Sequence, residues 1–323
     1  MARPLRIEYE GAVYHVTGRG NEQRKIFFSR RDYEKFKEYL AEALEKFGFI
    51  LHGYVLMTNH YHLIIETPEK NLSKTMHYIN SSYTNYANIK RKRSGHLLQG
   101  RFKSIVVDKD SHLLELSRYL HLNPVRAKMA QLPGDYPYSS YRSYTTAAGD
   151  KLVTTTTILK MLASKPDAAR EKYRSFVESA LDEGIESPLE KAYGGIILGS
   201  VDFIKEVLGK IEVERLENEE TSHRRSLRSS LLPEEVVSTT YAHYGLAPEE
   251  ITNTDRNDVR KKCIYLLKKH TSAGNREIGE ILGGMGASTV AKAYQRFVKE
   301  LADNARLKKE LRELQGKMSR VKV

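Results

Sequence analysis

The sequence predicts an α+β fold for its first 145 residues, a ferredoxin-like antiparallel sheet, followed by an all-α region that contains a helix-turn-helix. Two observations carry this prediction. Short segments rich in β-forming residues alternate with segments whose apolar residues recur every three or four positions, in the order βαββαβ. Beyond residue 233 only the helical periodicity is left, and glycines interrupt it.

The individual elements follow from local pattern and from turn residues. The first strand ends at a basic glycine turn, Gly18 to Asn21, and Thr58-Asn59 joins the next two strands as a hairpin. Asn123-Pro124 predicts the end of the last helix, because a residue before proline avoids the helical conformation. In chain order the predicted elements are a strand over residues 12–17, a helix over 30–47, strands over 49–57 and 60–66, a helix over 72–92, a strand over 103–107 and a helix over 113–122.

Three parts are predicted along the chain. Residues 1–145 form the sheet domain, and residues 146–232 form a helical connector that ends in a charged, serine-rich linker. Residues 233–323 form a second, helical domain. Its last segment is basic and carries three leucines on one helical stripe, at positions 307, 311 and 314.

Composition limits the possible partners and compartment. Among 323 residues, 53 Lys and Arg against 41 Asp and Glu give a net charge of +12, and the pI is about 9.4. A basic surplus favours nucleic acid as partner, although a merely soluble basic protein has the same signature. The chain has one cysteine, Cys263, which excludes an internal disulfide framework and a cysteine-based zinc site. No apolar run is long enough for a bilayer and the start lacks a secretory signal, so we expect a cytoplasmic protein without a membrane partner.

Two histidines stand two positions apart on the third predicted strand. Residues i and i+2 of a strand point to one face, so the imidazoles of His60 and His62 converge. Two neutral imidazoles can bind a divalent cation but leave it short of ligands, so a third ligand must come from elsewhere. The alternative is a pair of strand histidines without a metal.

A second candidate group lies on the last helix of the sheet domain. Tyr119 and Asn123 are four positions apart and therefore share a helical face. The amide oxygen of Asn123 can complete a two-histidine metal site, with Tyr119 one turn away. Glu115, one turn earlier, can orient or deprotonate the phenol, or it is a solvated glutamate. Tyr119 itself has a packing role as its alternative, since the chain has 20 tyrosines.

Five short motifs occur in one order between Ala12 and Tyr144. They are Tyr14-His15-Val16-Thr17 with Arg19-Gly20-Asn21, Met57-Thr58-Asn59-His60-Tyr61-His62-Leu63, Gln99-Gly100-Arg101-Phe102-Lys103, Tyr119-Leu120-His121-Leu122-Asn123-Pro124-Val125-Arg126-Ala127, and Tyr138-Ser139-Ser140-Tyr141. With these motifs the chain resembles the HUH single-tyrosine transposases, in particular the REP-associated tyrosine transposases. One departure is Tyr61, which stands between the histidines where the name HUH implies a bulky hydrophobe.

The resemblance implies a site and a reaction. His60 and His62 would bind Mg²⁺ or Mn²⁺, with Asn123 as the helix-borne amide ligand, and Tyr119 would attack a DNA phosphate that the metal polarises. The products would be a 5′-phosphotyrosine link and a free 3′-OH that can reverse the reaction. Physical chemistry agrees, because a phenol with a pKa of about 10 is a poor nucleophile until a cation neutralises the phosphate. The family acts on single strands or stem-loop ends, so single-stranded or hairpin DNA is the implied partner.

A cluster of cations precedes and includes the fourth strand. Between residues 90 and 103 there are six basic residues and no acidic one, so this segment can follow a DNA backbone. Tyr83 and Tyr86 just upstream can stack on unpaired bases. The alternative is a solvated helix end. Including Arg19 in its glycine turn, the candidate phosphate-binding residues are Arg19, Lys90, Arg91, Lys92, Arg93, Arg101 and Lys103.

The helical domain has a motif of its own. Residues 278–290 resemble the helix-turn-helix signature of the duplex-binding C-terminal domain of the bacterial replication initiator DnaA. Its glycines form the turn, Ser288 and Thr289 cap the next helix, and with Lys292 they offer contacts to duplex phosphates. Met285-Gly286-Ala287 replaces the polar, charged triplet that reads bases in the initiator, so the initiator's own box is not an implied target. The alternative is a structural helical bundle.

Taken as a whole, the sequence predicts a metal-dependent DNA transposase, or single-strand endonuclease, that cleaves and rejoins DNA at hairpin or repeat sequences. The first alternative is a domesticated regulator that keeps the fold and binds hairpin DNA without cleaving it. The second is an RNA-binding module on the same sheet, whose aromatic strand motifs are not evident. The pattern leaves open whether the chain acts as a monomer or a homodimer.

Overall fold

A computed structural model describes residues 6–181, 187–210, 233–246, 257–271 and 273–320. These residues belong to two compact units, one over Arg6–Ile204 and one that begins at Lys205. Residues 211–232, which contain the predicted linker at the end of the connector, lie outside the described residues. None of the described helices is both long enough and apolar enough to cross a membrane.

The first unit is built on a five-stranded sheet. Its strand order is β2-β3-β1-β4-β5, and the first four strands pair antiparallel while β5 joins β4 in parallel. The order of the first four strands is that of a ferredoxin-like βαββαβ sheet, which confirms the predicted fold class. The strands are β1 (Ala12–Arg19), β2 (Ile50–Met57), β3 (His60–Thr67), β4 (Lys103–Val107) and β5 (Ile197–Leu198).

Helices cover both faces of this sheet. The helices of the unit are α1 (Arg30–Phe47), α2 (Leu72–Lys90), α3 (Lys109–Arg126), α4 (Tyr141–Thr145), α5 (Thr156–Leu162) and α6 (Pro166–Glu178), and α7 (Val201–Gly209) follows. On one face Tyr61 of β3 packs against Phe36 of α1, with ring centroids 5.0 Å apart. On the other face Ile64 shares a buried cluster with Leu116 and Leu120 of α3. Because side chains alternate along β3, α3 lies on the face opposite to α1.

The helix α3 does not end at Asn123-Pro124 as predicted but continues to Arg126. Proline removes one backbone donor, which would leave the carbonyl of Leu120 without its helical partner. The side-chain Nδ2 of Asn123 donates to the carbonyls of Tyr119 at 3.0 Å and Leu120 at 3.4 Å. The side chain of Asn123 therefore replaces the missing donor, and the helix passes through Pro124.

Residues beyond 145 complete the core of the first unit. Ile158, Tyr173 and Leu198 are buried in the same cluster as Val55 and Leu116. The compact unit thus extends past residue 145, where the sequence analysis ends the first domain. The division at residues 145 and 232 stays a prediction.

A buried chain of hydrogen bonds fixes the back of α3. The hydroxyl of Tyr173 donates to Ser117 Oγ at 3.0 Å, and Ser117 Oγ donates to the carbonyl of Leu114 at 2.7 Å. Nδ1 of His121 lies 2.6 Å from the Tyr173 hydroxyl oxygen, and its Nε2 lies 2.8 Å from Ser140 Oγ. Burial lowers the pKa of His121 to about 3, so this imidazole is neutral.

In its described residues the second unit is all helical, as predicted. Cys263, Leu267 and Phe297 lie in its core. The three leucines of the predicted stripe are buried in the same core. The helices are α8 (Pro233–His243), α9 (Asn257–His270), α10 (Asn275–Ile281), α11 (Ala287–Asp303) and α12 (Ala305–Arg320).

Glycines form the tight turn between α10 and α11. The amides of Gly284 and Met285 both donate to the carbonyl of Gly279 at 2.9 Å. Gly284 has a φ of 81°, which favours glycine. A Cβ at Gly279 would overlap the carbonyl oxygen of Met285. The sequence thus allows two helices to meet as in a helix-turn-helix.

The predicted cap of the second helix is corrected. The N-cap of α11 is Gly286, whose carbonyl accepts the first helical bond from Val290 at 3.1 Å. Ser288 and Thr289 therefore lie within the first turn instead of capping it. They are exposed, as is Lys292 one turn further.

Candidate active site

A cleft of about 630 Å³ opens where β1, β3 and β4 meet α3. It contains all four residues predicted to carry chemistry, namely His60, His62, Tyr119 and Asn123, and no carboxylate of the described residues lines it. Three of the predicted cations lie there as well. The full set of lining residues is Thr17, Gly18, Arg19, Asn59, His60, His62, Gln99, Arg101, Lys103, Tyr119 and Asn123.

The strand register explains why these side chains meet. In the antiparallel pair β1–β3, Thr17 lies opposite His62 and Arg19 lies opposite His60. In the pair β1–β4, Thr17 lies opposite Lys103. Directly opposed residues share a face of the sheet, so the two imidazoles and two of the cations project from the same side.

Both histidines of the pair are oriented through Nδ1. Nδ1 of His60 is 2.7 Å from Oδ1 of Asn59, to which it donates. Nδ1 of His62 is 3.0 Å from Nε2 of His15. The centroids of the His60 and His62 rings are 5.0 Å apart. Each ring therefore keeps Nε2 for a ligand, and this is the arrangement that metal-binding histidines use.

Burial keeps this histidine group neutral. It lowers the pKa of His60, where the charge of Arg19 adds to the effect. It also lowers the pKa of His62 well below the ordinary value, with further contributions from His15, His60 and Arg126. Burial lowers the pKa of His15 to about 4. Neutral imidazole is the form that binds a metal ion.

The helix α3 supplies the nucleophile candidate and the amide. Because Nδ2 of Asn123 donates to backbone carbonyls, its Oδ1 is the atom left for a ligand. The Tyr119 ring meets the His15 ring edge-on, with centroids 6.5 Å apart. The guanidinium carbon of Arg126 lies 5.0 Å from the centroid of the Tyr119 ring.

The donor set fits a divalent cation that keeps open positions. No group of three His, Cys, Asp or Glu side chains that could hold a metal ion occurs in the described ranges. The cleft instead offers two imidazole Nε2 atoms and one amide oxygen. Three such donors leave coordination positions free for water or phosphate oxygens. Nδ1 of each imidazole already has a partner that fixes its ring, which supports the fit.

The structure does not bring the run of cations at residues 90–93 into the cleft. Nζ of Lys90 is 2.8 Å from Oδ1 of Asp32, and the Arg91 guanidinium is 2.5 Å from Oδ2 of the same carboxylate. Arg93 approaches the carbonyl of His96 at 3.5 Å. Lys92 is exposed. Of the predicted cations, only Arg19, Arg101 and Lys103 therefore share the cleft with the histidines.

The structure also corrects one expectation and decides between two alternatives. Tyr83 is fully buried and donates to the carbonyl of Ile26 at 2.7 Å, so it is not available to stack on bases. Glu115 does not line the cleft and lies 2.6 Å from the guanidinium of Arg118. The structure favours a solvated, paired glutamate over a general base.

Sequence reasoning assigned no role to His15, Asn59, Gln99 and Arg126. The alternation of β1 places His15 on the face that carries Thr17 and Arg19, and this local signal was available. Gln99 enters the cleft because its backbone N–H donates to the backbone carbonyl of Arg19 at 2.8 Å. This bond joins residues far apart in the chain, and local sequence patterns do not reveal it.

Two parts of the chain match known families. Residues 8–123 match the family model of IS200-like transposases, and residues 233–296 match that of the bacterial dnaA protein helix-turn-helix. The DnaA initiator proteins of two strains of Thermus thermophilus are each 31% identical over 164 residues, which is 48% of this chain and 35% of theirs. The DnaA of Herpetosiphon aurantiacus is 31% identical over 97 residues, 29% of this chain and 21% of its own length. The chain thus spans about a third or less of the curated relatives it matches.

A solved REP-associated tyrosine transposase bound to a REP hairpin aligns with 48% of this chain and 100% of its own, at 16% identity and a TM-score of 0.41. The two family models cover separate parts of the sequence, one on each compact unit. The chain therefore joins a domain that matches the IS200-like transposases to a domain that matches the DnaA-type helix-turn-helix.

Proposed function

We propose that this chain cleaves and rejoins a DNA strand, at hairpin or repeat sequences, through a covalent link between Tyr119 and a 5′ phosphate. The observation that carries the proposal is the cleft itself. A tyrosine, two oriented neutral histidines and an amide oxygen line one cavity with three cations. The match of residues 8–123 to the IS200-like transposases supports DNA as the substrate.

The charge of the cleft suits a phosphodiester backbone. Arg19, Arg101 and Lys103 line it, and none of them forms an ion pair with an acidic side chain in the described part of the chain. A cation without a carboxylate partner can bind a phosphate without first breaking an ion pair. Its binding releases counterions that are condensed on the DNA. The cleft opens to solvent, so a DNA strand can enter it.

The reaction balances as an exchange of two esters. The Tyr119 oxygen forms a bond to phosphorus, the bond between phosphorus and the 3′ oxygen breaks, the phenol loses its proton to solvent, and the 3′ oxygen gains one. A divalent cation held by His60, His62 and Asn123 would neutralise phosphate charge during this exchange. Because the phosphotyrosine is itself an ester, the 3′-OH can attack it and rejoin the strand.

The decisive experiment is a covalent trapping assay. Hairpin oligonucleotides copied from palindromic repeats beside the gene are incubated with the protein and a divalent cation, and adducts are resolved on denaturing gels. We expect an adduct with the wild type and none with Tyr119→Phe, which should still bind the DNA. Tyr78→Phe is the matched control, since Tyr78 is bonded to Glu42 away from the cleft. An adduct formed by Tyr119→Phe would refute the nucleophile, and binding without any wild-type adduct would favour a non-cleaving hairpin-binding regulator.

The second unit contributes affinity for duplex DNA in this proposal. Ser288, Thr289 and Lys292 are exposed at the start of α11, where the helix N-terminus favours phosphate. The match of residues 233–296 to the DnaA-type helix-turn-helix supports this role. The chemistry would belong to the first unit alone.

A further inference from the structure

Arg126 is a cation that neither the predicted site nor the predicted DNA-binding set includes. It lies on α3 at the spacing that places Tyr119, Asn123 and Arg126 on one helical stripe, at i, i+4 and i+7. Its guanidinium carbon is 5.0 Å from the centroid of the Tyr119 ring. Arg126 is thus close to the ring of Tyr119.

A second arginine of the same helix shows what is unusual about Arg126. Arg118 also lies over an aromatic ring, 4.4 Å from the centroid of Phe176. Its charge is balanced, however, by the Glu115 carboxylate at 2.6 Å. Arg126 is exposed and has no ion pair with an acid among the described residues. The positive charge of Arg126 is therefore free to pair with a ligand, whereas that of Arg118 is already paired with Glu115.

We propose that Arg126 binds the scissile phosphate and stabilises its transition state, an inference that rests on Tyr119 as the nucleophile. A guanidinium that lies 5.0 Å from the centroid of the Tyr119 ring is near enough to reach a phosphate that the phenolic oxygen attacks. Its planar fork matches two non-bridging phosphate oxygens. As the phenolate oxygen adds to phosphorus, negative charge grows on these oxygens. Arg126 takes no part in the bonds made and broken.

The rival explanation is that Arg126 only packs on Tyr119 or stabilises the carboxyl end of α3. A cation at an exposed helix end has only a small effect on stability. If Arg126 only packs on the ring, replacing it should slow the reaction as much with an uncharged phosphate as with a charged one. If Arg126 neutralises phosphate charge, the rate loss should become smaller with an uncharged phosphate. The charge of the substrate therefore separates the two explanations.

The first measurement is equilibrium binding of a single-stranded oligonucleotide over a series of salt concentrations. We expect Arg126→Ala to reduce the slope of log affinity against log salt by about 0.7, the value for one lost phosphate contact on single-stranded DNA. Arg126→Lys should keep the slope because it keeps the charge. Arg118→Ala should also keep it, since that arginine is paired with Glu115. Thermal unfolding of each variant confirms that the exposed substitution leaves the fold intact.

The second measurement is the single-turnover rate of adduct formation with saturating hairpin DNA. Arg126→Ala should be about 100-fold slower than the wild type, the usual effect of losing one donor to a developing negative charge. Arg126→Lys should fall between them, because a point charge replaces a bidentate fork. With a methylphosphonate at the scissile position, which is uncharged, the difference between wild type and Arg126→Ala should shrink to a few-fold.

The outcomes separate this inference from the proposed function. A salt slope and an adduct rate that are unchanged in Arg126→Ala overturn the role of Arg126 and leave the nuclease intact. A rate defect that persists in full on the methylphosphonate also overturns it and favours the packing role. If the wild type forms no adduct, the proposed nuclease fails, and the salt slope alone decides whether Arg126 binds phosphate.

Discussion

Two basic regions of the first unit look alike in sequence and differ in structure. The cleft cations Arg19, Arg101 and Lys103 have no acidic partner in the ranges the structure describes. In the run at residues 90–93, Lys90 and Arg91 share the buried carboxylate of Asp32. The comparison teaches that a count of positive residues does not locate a binding surface. What matters is whether a carboxylate from elsewhere in the chain already forms an ion pair with the positive residue.

The largest expected effect belongs to the cleft and its histidines. Replacing His60 or His62 by Ala should slow adduct formation about 10- to 100-fold, because each change removes one of few metal ligands. Addition of a chelator should mimic these variants, and Mg²⁺ or Mn²⁺ should restore the wild type. His96→Ala, beside the basic run, is the control and should react at the wild-type rate. Cleavage that resists the chelator would remove the metal from the proposal.

A smaller effect, on stability, is expected from the basic run. Burial raises the pKa of Asp32, but hydrogen bonds from Lys90 and from the amide of Phe28, with the charges of Arg91 and Lys90, lower it to about 2. A carboxylate with a depressed pKa stabilises the fold above its unfolded pKa of about 4, and this contribution is lost as the pH falls towards 2. Asp32→Asn should therefore lower the free energy of unfolding at pH 7 by about 2 kcal/mol, a factor of about 30.

Urea unfolding at several pH values checks this prediction. The difference between wild type and Asp32→Asn should be full at pH 7 and should narrow between pH 4 and pH 2. The control is Asp167→Asn, because Asp167 is fully exposed and its ion pair with Arg170 contributes little. A difference that stays constant down to pH 2 would show that the carboxylate charge is not what Asp32 contributes.

The third effect contrasts the two regions directly through DNA binding. The double variant with Gln at Arg101 and Lys103 should reduce the salt slope for single-stranded DNA by about 1.4, since each contact contributes about 0.7. The double variant with Gln at Lys90 and Arg91 should change it much less, because Asp32 already pairs both cations. Equal slopes for both double variants would mean that the ion pairs with Asp32 open when DNA binds.

The smallest effect concerns the second unit. Lys292→Gln should lower the salt slope on duplex DNA by about 0.9 and leave binding of single strands unchanged. Arg276→Gln is the matched control, because Arg276 is exposed but lies 3.1 Å from Glu280. If neither variant alters duplex binding, the helix-turn-helix contacts something other than DNA, most simply a protein.

The sequence predicted the parts of the site that depend on local rules. The alternation of a strand placed His60 and His62 on one face, and helical periodicity placed Tyr119 beside Asn123. Those positions share the cleft in the structure. Their roles in chemistry stay predictions.

What the sequence did not predict depends on contacts between distant residues. The neighbour of His62 is His15, which only the register of β1 on β3 determines. The partner of Lys90 and Arg91 is Asp32, at the start of another helix. The helix α3 continues through Pro124 because the side chain of Asn123 donates to the carbonyl that Pro124 cannot serve. Asn123-Pro124, which predicts a helix end from sequence, therefore lies inside the helix.

The hydrogen-bond chain behind α3 has a consequence for how the protein is made. His121 lies two residues after Tyr119 and is bonded to Ser140 on one side and to Tyr173 on the other. Without Tyr173, Nδ1 of this buried imidazole has lost its hydrogen-bond partner, and an unmet buried polar group costs about 1–3 kcal/mol. Strands β1 to β4 all precede Tyr173 in the chain, whereas the hydrogen bonds behind the helix that carries Tyr119 require α6. A gene fragment ending at residue 145 would encode every cleft residue and still lack the rear support of its nucleophile.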